Sequence, residues 1–428
     1  MNKSLTLAFA SAALIGLSGT GHATGFKINH AFCAQSNCTD GNQPIGAPVA
    51  DASGNYYGTT AQGGAKNFGT IYRMSYDGAH WHYTRIHSFC AKASCTDGSS
   101  PRSTLIIDSS GNLYGTTYGG GAADTGTVFR LSPNGTGWTF KVLHSFCKLA
   151  NCADGSHPEN SALTYQGAVS GVAYDGMSPL YGVTTFGGAH NGGAVYKLTP
   201  DGTQTTWTEK AVYSFCSLAS CADGNLPYSG AIMDGIGNLF GATSIGGAFG
   251  HGVVYQISYD GHRWVNTVLY SFCSGGGFCT DGDDPIAPLA LSADGSLIGT
   301  TYFGGAHAKG SVFKVVPNGT NSQFTTLYSF CSQTNCADGT NPNAGVAIDA
   351  SGNLIGTTYQ GGANAMGVVY KLTGQHHDVM HVLASMGAAP FDGGNMLSEV
   401  VLDPGGRVYG TAPVGGANTK GIFYSLVP

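Results

Sequence analysis

Residues 111–133 read GNLYGTTYGGGAADTGTVFRLSP, and variants of this segment recur along the whole chain. This recurrence determines the fold. The glycine signature of the segment, Gly-Gly-Ala-x-x-x-Gly, occurs seven times. The seven copies open at Gly63, Gly120, Gly187, Gly246, Gly304, Gly361 and Gly415. Strand-like sequence repeated at intervals of roughly 60 residues is typical of radial or stacked repeat architectures. We therefore interpret the chain as seven similar units in one assembly.

Each copy carries the strand and turn signals of a small antiparallel sheet. In the second copy, Leu105–Asp108 and Asn112–Thr117 predict the first two strands, and Gly126–Ser132 and Trp138–Phe146 predict the third and fourth. We place the last turn at Pro133-Asn134-Gly135, because Asn-Gly favours a hairpin. Four antiparallel strands in each of seven repeats predict an all-β fold, a seven-bladed β-propeller.

The two ends of the repeat region predict how the ring closes. The last copy stops after its third strand, near Gly421–Leu426, and a strand without a partner is predicted near Phe26–Phe32. Pairing these two strands completes the seventh blade and removes an exposed sheet edge. We expect a single domain, residues 24–428, in which the N-terminal strand completes the last blade.

Residues 1–23 have the three regions of a secretory signal peptide. Lys3 supplies the charge, Leu5–Leu17 the apolar segment and Gly21-His22-Ala23 the cleavage site. We expect a mature chain that begins near Thr24 and lacks a transmembrane segment and a C-terminal anchor. The net charge of −6 and the lack of a basic cluster argue against nucleic acid as a partner. The mature protein is expected to be soluble, monomeric, and secreted or periplasmic.

The twelve cysteines form six close pairs, one in each of six copies. Regularly paired cysteines in an exported chain indicate local disulfides, whereas zinc sites have tighter spacing and accompanying histidines. The predicted disulfides are Cys33–Cys38, Cys90–Cys95, Cys147–Cys152, Cys216–Cys221, Cys273–Cys279 and Cys331–Cys336. Each closes a short loop and is expected to stiffen it.

The repeat resembles that of the GloVer tandem-repeat family of exported bacterial proteins. The resemblance is carried by GNLYGTT at 111–117, GGA at 120–122 and GTVFRLSP at 126–133. It extends over essentially all of the mature chain. The resemblance implies export and a propeller-like fold, and it implies no agreed biochemical activity.

One face of the propeller is expected to carry two families of loops. The loops between blades contain the cysteine pairs and Asp-Gly-x-x-Pro, and the loops between second and third strands contain the glycine signature. We call this the disulfide face and take it as the candidate binding surface, since loops on a rigid scaffold usually carry function. Tyr118, Phe186, Tyr302 and Tyr359 are expected to add aromatic side chains there.

One aspartate precedes the glycine of Asp-Gly in every copy: Asp40, Asp97, Asp154, Asp223, Asp281, Asp338 and Asp392. A ring of carboxylates suits a cation, but we favour an Asx turn that caps each loop. The fifth copy adds Asp283 and Asp284 beside Asp281, and this cluster is the candidate calcium site. No cofactor is expected to be required.

The third copy is ten residues longer than the second before the Tyr-Gly of its second strand. Aligning the copies places the extra residues before the inner strand, on the disulfide face. This copy supplies Glu159 as a candidate catalytic residue and His157, Tyr165 and His190 as candidate ligand-binding residues. A tolerated surface insertion is the structural alternative.

Glu399 is the second candidate catalytic residue. Other copies have small, apolar or hydroxyl-bearing residues at its position, where seven inner strands converge. We expect its carboxylate near the central channel, either as a general acid or base or as a partly solvated charge.

The histidines of the fourth strands indicate packing instead. His30, His87 and His144 share a position that holds tyrosine in the next three copies, which predicts an aromatic side chain with a polar tip.

Three functions remain open from the sequence. The leading one is a non-enzymatic binding or adhesion propeller that recognises an extracellular glycan or protein. The alternatives are an extracellular carbohydrate-active hydrolase or lyase, and a structural exported protein. The mature chain contains no Gly-x-Ser-x-Gly, His-Glu-x-x-His or phosphate-loop motif that would favour a particular enzyme class.

Overall fold

The computed structural model describes residues 25–160, 162–168, 171–388 and 392–428. The predicted signal peptide, residues 1–23, and the predicted mature start at Thr24 lie outside these described residues. In the described part of the chain, 27 strands form seven antiparallel sheets. The sheets form a ring, the seven-bladed β-propeller that the repeat predicts.

Among the described residues, six blades have four strands and run outward from a short inner strand, whereas the third blade has three strands. The first blade contains β2 (Val49–Ala50), β3 (Tyr56–Thr60), β4 (Thr70–Tyr76) and β5 (Trp81–Ser88). The second contains β6 (Ile106–Ile107), β7 (Leu113–Thr117), β8 (Thr127–Asn134) and β9 (Gly137–Ser145). The third contains β10 (Leu180–Thr184), β11 (Ala194–Pro200) and β12 (Trp207–Ser214).

The later blades follow the same order. The fourth contains β13 (Ile232–Met233), β14 (Leu239–Thr243), β15 (Val253–Tyr259) and β16 (Trp264–Ser271). The fifth contains β17 (Ala290–Leu291), β18 (Leu297–Thr301), β19 (Ser311–Val316) and β20 (Gln323–Ser329). The sixth contains β21 (Ala347–Ile348), β22 (Leu354–Thr357), β23 (Val368–Thr373) and β24 (Val379–Ser385).

The seventh blade is built from both ends of the described chain, as predicted. It contains β25 (Val401–Leu402), β26 (Val408–Ala412), β27 (Ile422–Leu426) and the N-terminal β1 (Lys27–Ala31). In the antiparallel register, Lys27 pairs with Ser425 and Ala31 pairs with Ile422. The outer strand of this blade therefore ties the beginning of the domain to its end.

The hydrophobic core lies in the seams between neighbouring blades. One buried cluster joins Phe89 of the first blade to Leu105 and Phe129 of the second. The second strand of each blade is buried along its length, and its central glycine allows a neighbouring aromatic ring to cross the backbone. A Cβ at Gly58, for example, would overlap the side chain of Tyr72, which is fully buried. The Tyr-Gly-Thr sequence of β3 is therefore a packing requirement.

The hairpin turn between β8 and β9 begins two residues later than predicted. Asn134 still pairs with Gly137, so the turn consists of Gly135 and Thr136. Gly135 has a φ of +59°, the left-handed conformation that two-residue hairpin turns require.

The six predicted disulfides are present, each within one loop. Short 3-10 turns lead into the second cysteine of five loops: Ser36–Cys38, Ala93–Cys95, Ala150–Cys152, Ala219–Cys221 and Thr334–Cys336. None of the helices in the described ranges has the length and apolar character needed to cross a bilayer.

Candidate functional site

The repeated aspartates hold the disulfide loops together. Asp97 is buried, and its two carboxylate oxygens accept hydrogen bonds from the backbone N–H groups of Ala91 (2.9 Å) and Lys92 (3.1 Å). The same pattern recurs at Asp40, Asp154, Asp223, Asp281 and Asp338. The carboxylates therefore reach back to the first cysteine of each loop, rather than forming the Asx turns expected from Asp-Gly.

The candidate calcium residues do not form a carboxylate cluster. Asp281 is engaged by its own loop and by the hydroxyl of Tyr270, which donates to it at 2.6 Å. Asp283 lies 2.8 Å from Nδ1 of His251. Burial raises the pKa of Asp284. Among the described residues, the groups with potential metal-ligating atoms within 4.8 Å of one another do not include these three aspartates.

The insertion in the third blade lies on the opposite face, and its predicted placement was wrong. Thr164 forms an isolated bridge with Tyr181, as Ile106 does with Tyr114 in the second blade. Thr164 therefore occupies the inner-strand position, and nearly all the extra residues follow it. Strand pairing sets this register, and it differs from the register expected from the aligned copies.

Tyr165 consequently lies away from the disulfide face. Its side chain is largely buried, and its hydroxyl donates a hydrogen bond to the carbonyl of Val172 at 2.8 Å. Tyr174 of the same insertion is fully buried, and its ring lies 5.2 Å from that of Tyr114. The insertion packs onto the second blade, and the structure does not bring Tyr165 near His157.

His157 and Glu159 lie together at the mouth of the central channel. Nη1 of Arg102 lies 2.5 Å from Oε1 of Glu159, and the guanidinium carbon of Arg102 lies 4.4 Å from the centroid of the Tyr118 ring. The ring of His157 is 4.8 Å from that of Tyr118. Burial lowers the pKa of His157. We call Arg102, Tyr118, His157 and Glu159 the mouth cluster; His190 is exposed in a glycine loop outside it.

A cavity of about 350 Å³ lies at the entrance to the central channel, on the disulfide face. All seven blades line it through the segments that enter their inner strands. Glu399 lines it, as expected, and Gly345 leaves the space that its carboxylate occupies. Burial raises the pKa of Glu399 to about 7. Among the described residues, no hydrogen bond or ion pair to Glu399 is found.

The cavity combines an apolar wall with polar groups that lack partners. Ile45, Leu163 and Leu289 contribute apolar surface. Nε of Arg102 and Oδ1 of Asn160 are buried without hydrogen-bond partners and belong to lining residues. Together with Glu399, the second, third and seventh blades thus present a donor, an acceptor and a titratable carboxyl group. A ligand that offers both hydroxyl donors and acceptors would satisfy them.

The repeat of this chain matches a known family along its length. The model of the Gloeobacter/Verrucomicrobia repeat matches residues 15–179, 173–335 and 267–428. The chain belongs to this family. The predicted GloVer relationship is therefore confirmed. No curated protein matches the sequence.

Solved structures resemble this GloVer propeller only at low identity. A proposed 6-phosphogluconolactonase from Bacteroides fragilis is 13% identical, with a TM-score of 0.48 over 79% of this chain and 83% of that one. A sialidase from Trypanosoma rangeli is 12% identical, with a TM-score of 0.41 over 94% and 58%. A protein of unknown function from Dyadobacter fermentans is 10% identical, with a TM-score of 0.44 over 94% and 97%.

The GloVer repeat itself contains a signal for Arg102, which was not among the predicted site residues. Arg102 and Glu159 directly follow the proline of Asp-Gly-x-x-Pro. The corresponding residues of the seven copies are Ile45, Arg102, Glu159, Tyr228, Ile286, Asn343 and Leu397. This position varies in size and charge, whereas the residue before it is proline in six of the seven copies. All of these residues except Glu159 and Tyr228 line the cavity. Variation within a repeat, rather than repetition, indicates the site.

Proposed function

We propose that this protein binds a carbohydrate outside the cytoplasm, with one end of the glycan in the channel cavity on the disulfide face. The observation that carries the proposal is the cavity of about 350 Å³, in which polar atoms of Arg102 and Asn160 are buried without protein partners and Glu399 adds a carboxyl group to the lining. A volume of this size lies within the range of small-ligand sites. Sugars combine hydroxyl groups with apolar ring faces, which suits such a lining.

The mouth cluster supports this proposal by fixing Arg102 in place. Its guanidinium is held by the Glu159 carboxylate on one side and by the Tyr118 ring on another. Ordering a ligand-binding side chain before binding reduces the entropy that binding must overcome. Tyr228 lies near Glu159 and Tyr118, and burial together with these neighbours raises its pKa. It adds an aromatic side chain near the mouth cluster.

Hydrolysis of a glycan is the second candidate function, and Glu399 favours it. A carboxyl group with a pKa of about 7 is protonated in a large fraction of molecules at neutral pH, as a general acid must be. Its position in the cavity would bring it close to a bound glycosidic bond. Glu159 differs, because its carboxylate is engaged by Arg102.

Both functions can be tested on one set of proteins. Residues 24–428 would be applied to an array of microbial and plant glycans, the strongest glycan measured by calorimetry, and the retained glycans examined by mass spectrometry. Carbohydrate binding predicts a Kd that rises at least about tenfold in Arg102→Ala and Asn160→Ala, since each loses a charged or buried hydrogen bond. Tyr259→Ala is the matched control, since Tyr259 is an exposed residue at the end of β15.

Glu399→Gln separates the two candidates. Retained binding with intact glycans supports a binding protein, because glutamine preserves hydrogen bonding. Shortened glycans with the native protein, and intact ones with Glu399→Gln, support a hydrolase. The cavity is not the site if no glycan binds, or if Arg102→Ala and Asn160→Ala bind as tightly as the native chain.

A further inference from the structure

The seams between blades place one aromatic or histidine side chain against the outer strand of the next blade. The ring of His87 stacks on Phe140 at 4.2 Å, and the ring of Tyr270 stacks on Phe324 at 3.9 Å. His30 stacks in the same way on Tyr83 at 4.3 Å. The contacted residue is therefore aromatic in three of these seams.

The seam between the second and third blades differs from these three. Its contacted residue is Glu209 on β12, which pairs with Leu198 as Phe140 pairs with Leu131 in the preceding blade. A carboxylate thus replaces an aromatic stacking partner. Oε1 of Glu209 is buried and has no hydrogen-bond partner. Such a group is costly to bury unless a cation or a donor compensates its charge.

Two further ligand-type groups lie beside Glu209. The His144 side chain is 8% exposed, and its Nε2 atom, which has no hydrogen-bond partner, lies 3.3 Å from Oδ2 of Asp154. The ligand-type atoms of His144, Asp154 and Glu209 all lie within 4.8 Å of one another. Nε2 and Oδ2 are close but lack hydrogen-bond geometry. Nε2 of His144 therefore remains without a hydrogen-bond partner.

The distance between the His144 and Asp154 atoms fits the geometry of a zinc site. Ligand atoms at about 2.1 Å from a tetrahedral zinc ion lie about 3.4 Å apart, close to the 3.3 Å between Nε2 of His144 and Oδ2 of Asp154. A second group of this kind, His251 with Cys273 and Cys279, is unsuitable because both sulfurs form a disulfide.

The charged groups around His144, Asp154 and Glu209 are compatible with a bound cation. Lys148 is near enough to influence the pKa of Glu209, yet no ion pair joins the two in the described part of the chain. Asp154 already accepts backbone hydrogen bonds from Lys148 and Leu149. Carboxylate oxygens have further lone pairs, so these bonds orient Asp154 and still allow it to ligate.

We propose that His144, Asp154 and Glu209 bind one divalent transition-metal ion in the seam between the second and third blades, through Nε2 and two carboxylates. One imidazole and two carboxylates form a donor set that suits zinc and related ions. The ion would cross-link β9, the disulfide loop and β12. This site lies at the outer strands and is separate from the channel cavity.

Zinc is the probe for the first experiment. Tag-free residues 24–428 with intact disulfides would be stripped with EDTA, dialysed and titrated with Zn²⁺ by calorimetry. We expect one Zn²⁺ ion to bind tightly to each chain, and we expect zinc to raise the melting temperature. Co²⁺ loading should give the visible absorption of a low-coordinate site with nitrogen and oxygen ligands. A native chain without a tight equivalent would overturn the proposal.

Two variants of Glu209 test the site. Glu209→Phe restores the aromatic of the neighbouring seam, and Glu209→Gln keeps the shape of the side chain. Both should lose the tight zinc equivalent and the cobalt spectrum, while folding is checked by metal-free melting. Glu159→Gln, which alters a glutamate outside the seam, should keep both. Unchanged zinc affinity in Glu209→Phe and Glu209→Gln would show binding by surface histidines and reject the site.

Discussion

At the scale of single residues, one position of the repeat accepts either tyrosine or histidine. The hydroxyls of Tyr213 and Tyr328 donate hydrogen bonds of 2.7 Å to the aspartates of their own loops. His87 occupies the same position but lies 3.9 Å from Asp97, and its Nε2 has no hydrogen-bond partner. The predicted packing role is confirmed for both residue types, but only tyrosine completes the polar contact.

Replacing His87 by tyrosine should therefore make the protein more resistant to acid. Burial lowers the pKa of His87 from 6.5 to about 4. Between these pH values the unfolded chain holds a proton that the folded chain does not, so stability falls as the pH falls. His87→Tyr should raise the free energy of unfolding at pH 4.5 by about 2 kcal/mol more than at pH 7.5. Denaturant titrations at both pH values measure the difference.

His262→Tyr is the matched control for this prediction, because His262 is exposed in the hairpin after β15. It should change stability little and equally at both pH values. An equal gain from His87→Tyr at pH 4.5 and pH 7.5 would contradict the assigned titration of His87 and leave only the added hydrogen bond.

At the scale of elements, the disulfide loops hold an unusual backbone conformation. Cys331 and Cys336 have φ values of +65° and +52°, and all the other paired cysteines are also left-handed. Non-glycine residues adopt this conformation at a cost of about 1 kcal/mol or more. The seventh copy has no cysteine pair, and Gly387, at φ +76°, follows β24 of the sixth blade where Cys331 follows β20 of the fifth. The backbone at this position thus has a positive φ both where a disulfide-bonded cysteine occupies it and where glycine does.

Removing one disulfide should separate these two contributions. The double variant Cys331→Ala with Cys336→Ala should lose about 2 kcal/mol, the loop-closure contribution of a short ring. The corresponding double glycine variant should lose less, because glycine adopts positive φ without strain. Melting temperatures measure the total effect. Amide exchange at Ser332 and Gln333, whose N–H groups bind Asp338, reports the loop itself.

The alanine variant provides the comparison for the glycine variant. If the glycine variant is the less stable of the two, the left-handed backbone is not the strained feature of the loop. In that case chain flexibility would outweigh conformational strain.

At the scale of the whole molecule, ring closure and the channel cavity depend on each other. β1 is the outer strand of the last blade, and the cavity is lined by residues from all seven blades. Opening the seventh blade would therefore loosen the wall that carries Glu399. Stability and ligand binding are expected to change together when closure fails.

Deleting β1 tests this coupling. A chain of residues 32–428 should lose about 1 kcal/mol for each lost strand-pairing hydrogen bond and expose β27 as an edge that promotes association. A peptide of residues 24–31 should restore the melting temperature by adding the missing strand. Unchanged melting of the truncated chain would mean that β1 does not hold the ring closed.

The amino-acid sequence was sufficient to predict the repeat, the blade count, the six disulfides and the pairing of β1 with β27. These features depend on local signals that recur seven times, or on strand edges that must find a partner. It also placed Glu399 at the central channel, because the inner strands of all copies converge there. Glu159 and His157 were recognised as candidates for the wrong reason, since the insertion that singled them out lies on the other face.

Which residues of different blades come into contact depends on the packing of the folded chain. Arg102 and Glu159 belong to adjacent blades and are 57 positions apart in the chain. His144, Asp154 and Glu209 converge only because the second and third blades pack side by side. Strand register moved Tyr165 into the core of the insertion and away from His157. Such contacts depend on the packing of one blade on the next, which short-range sequence patterns do not encode.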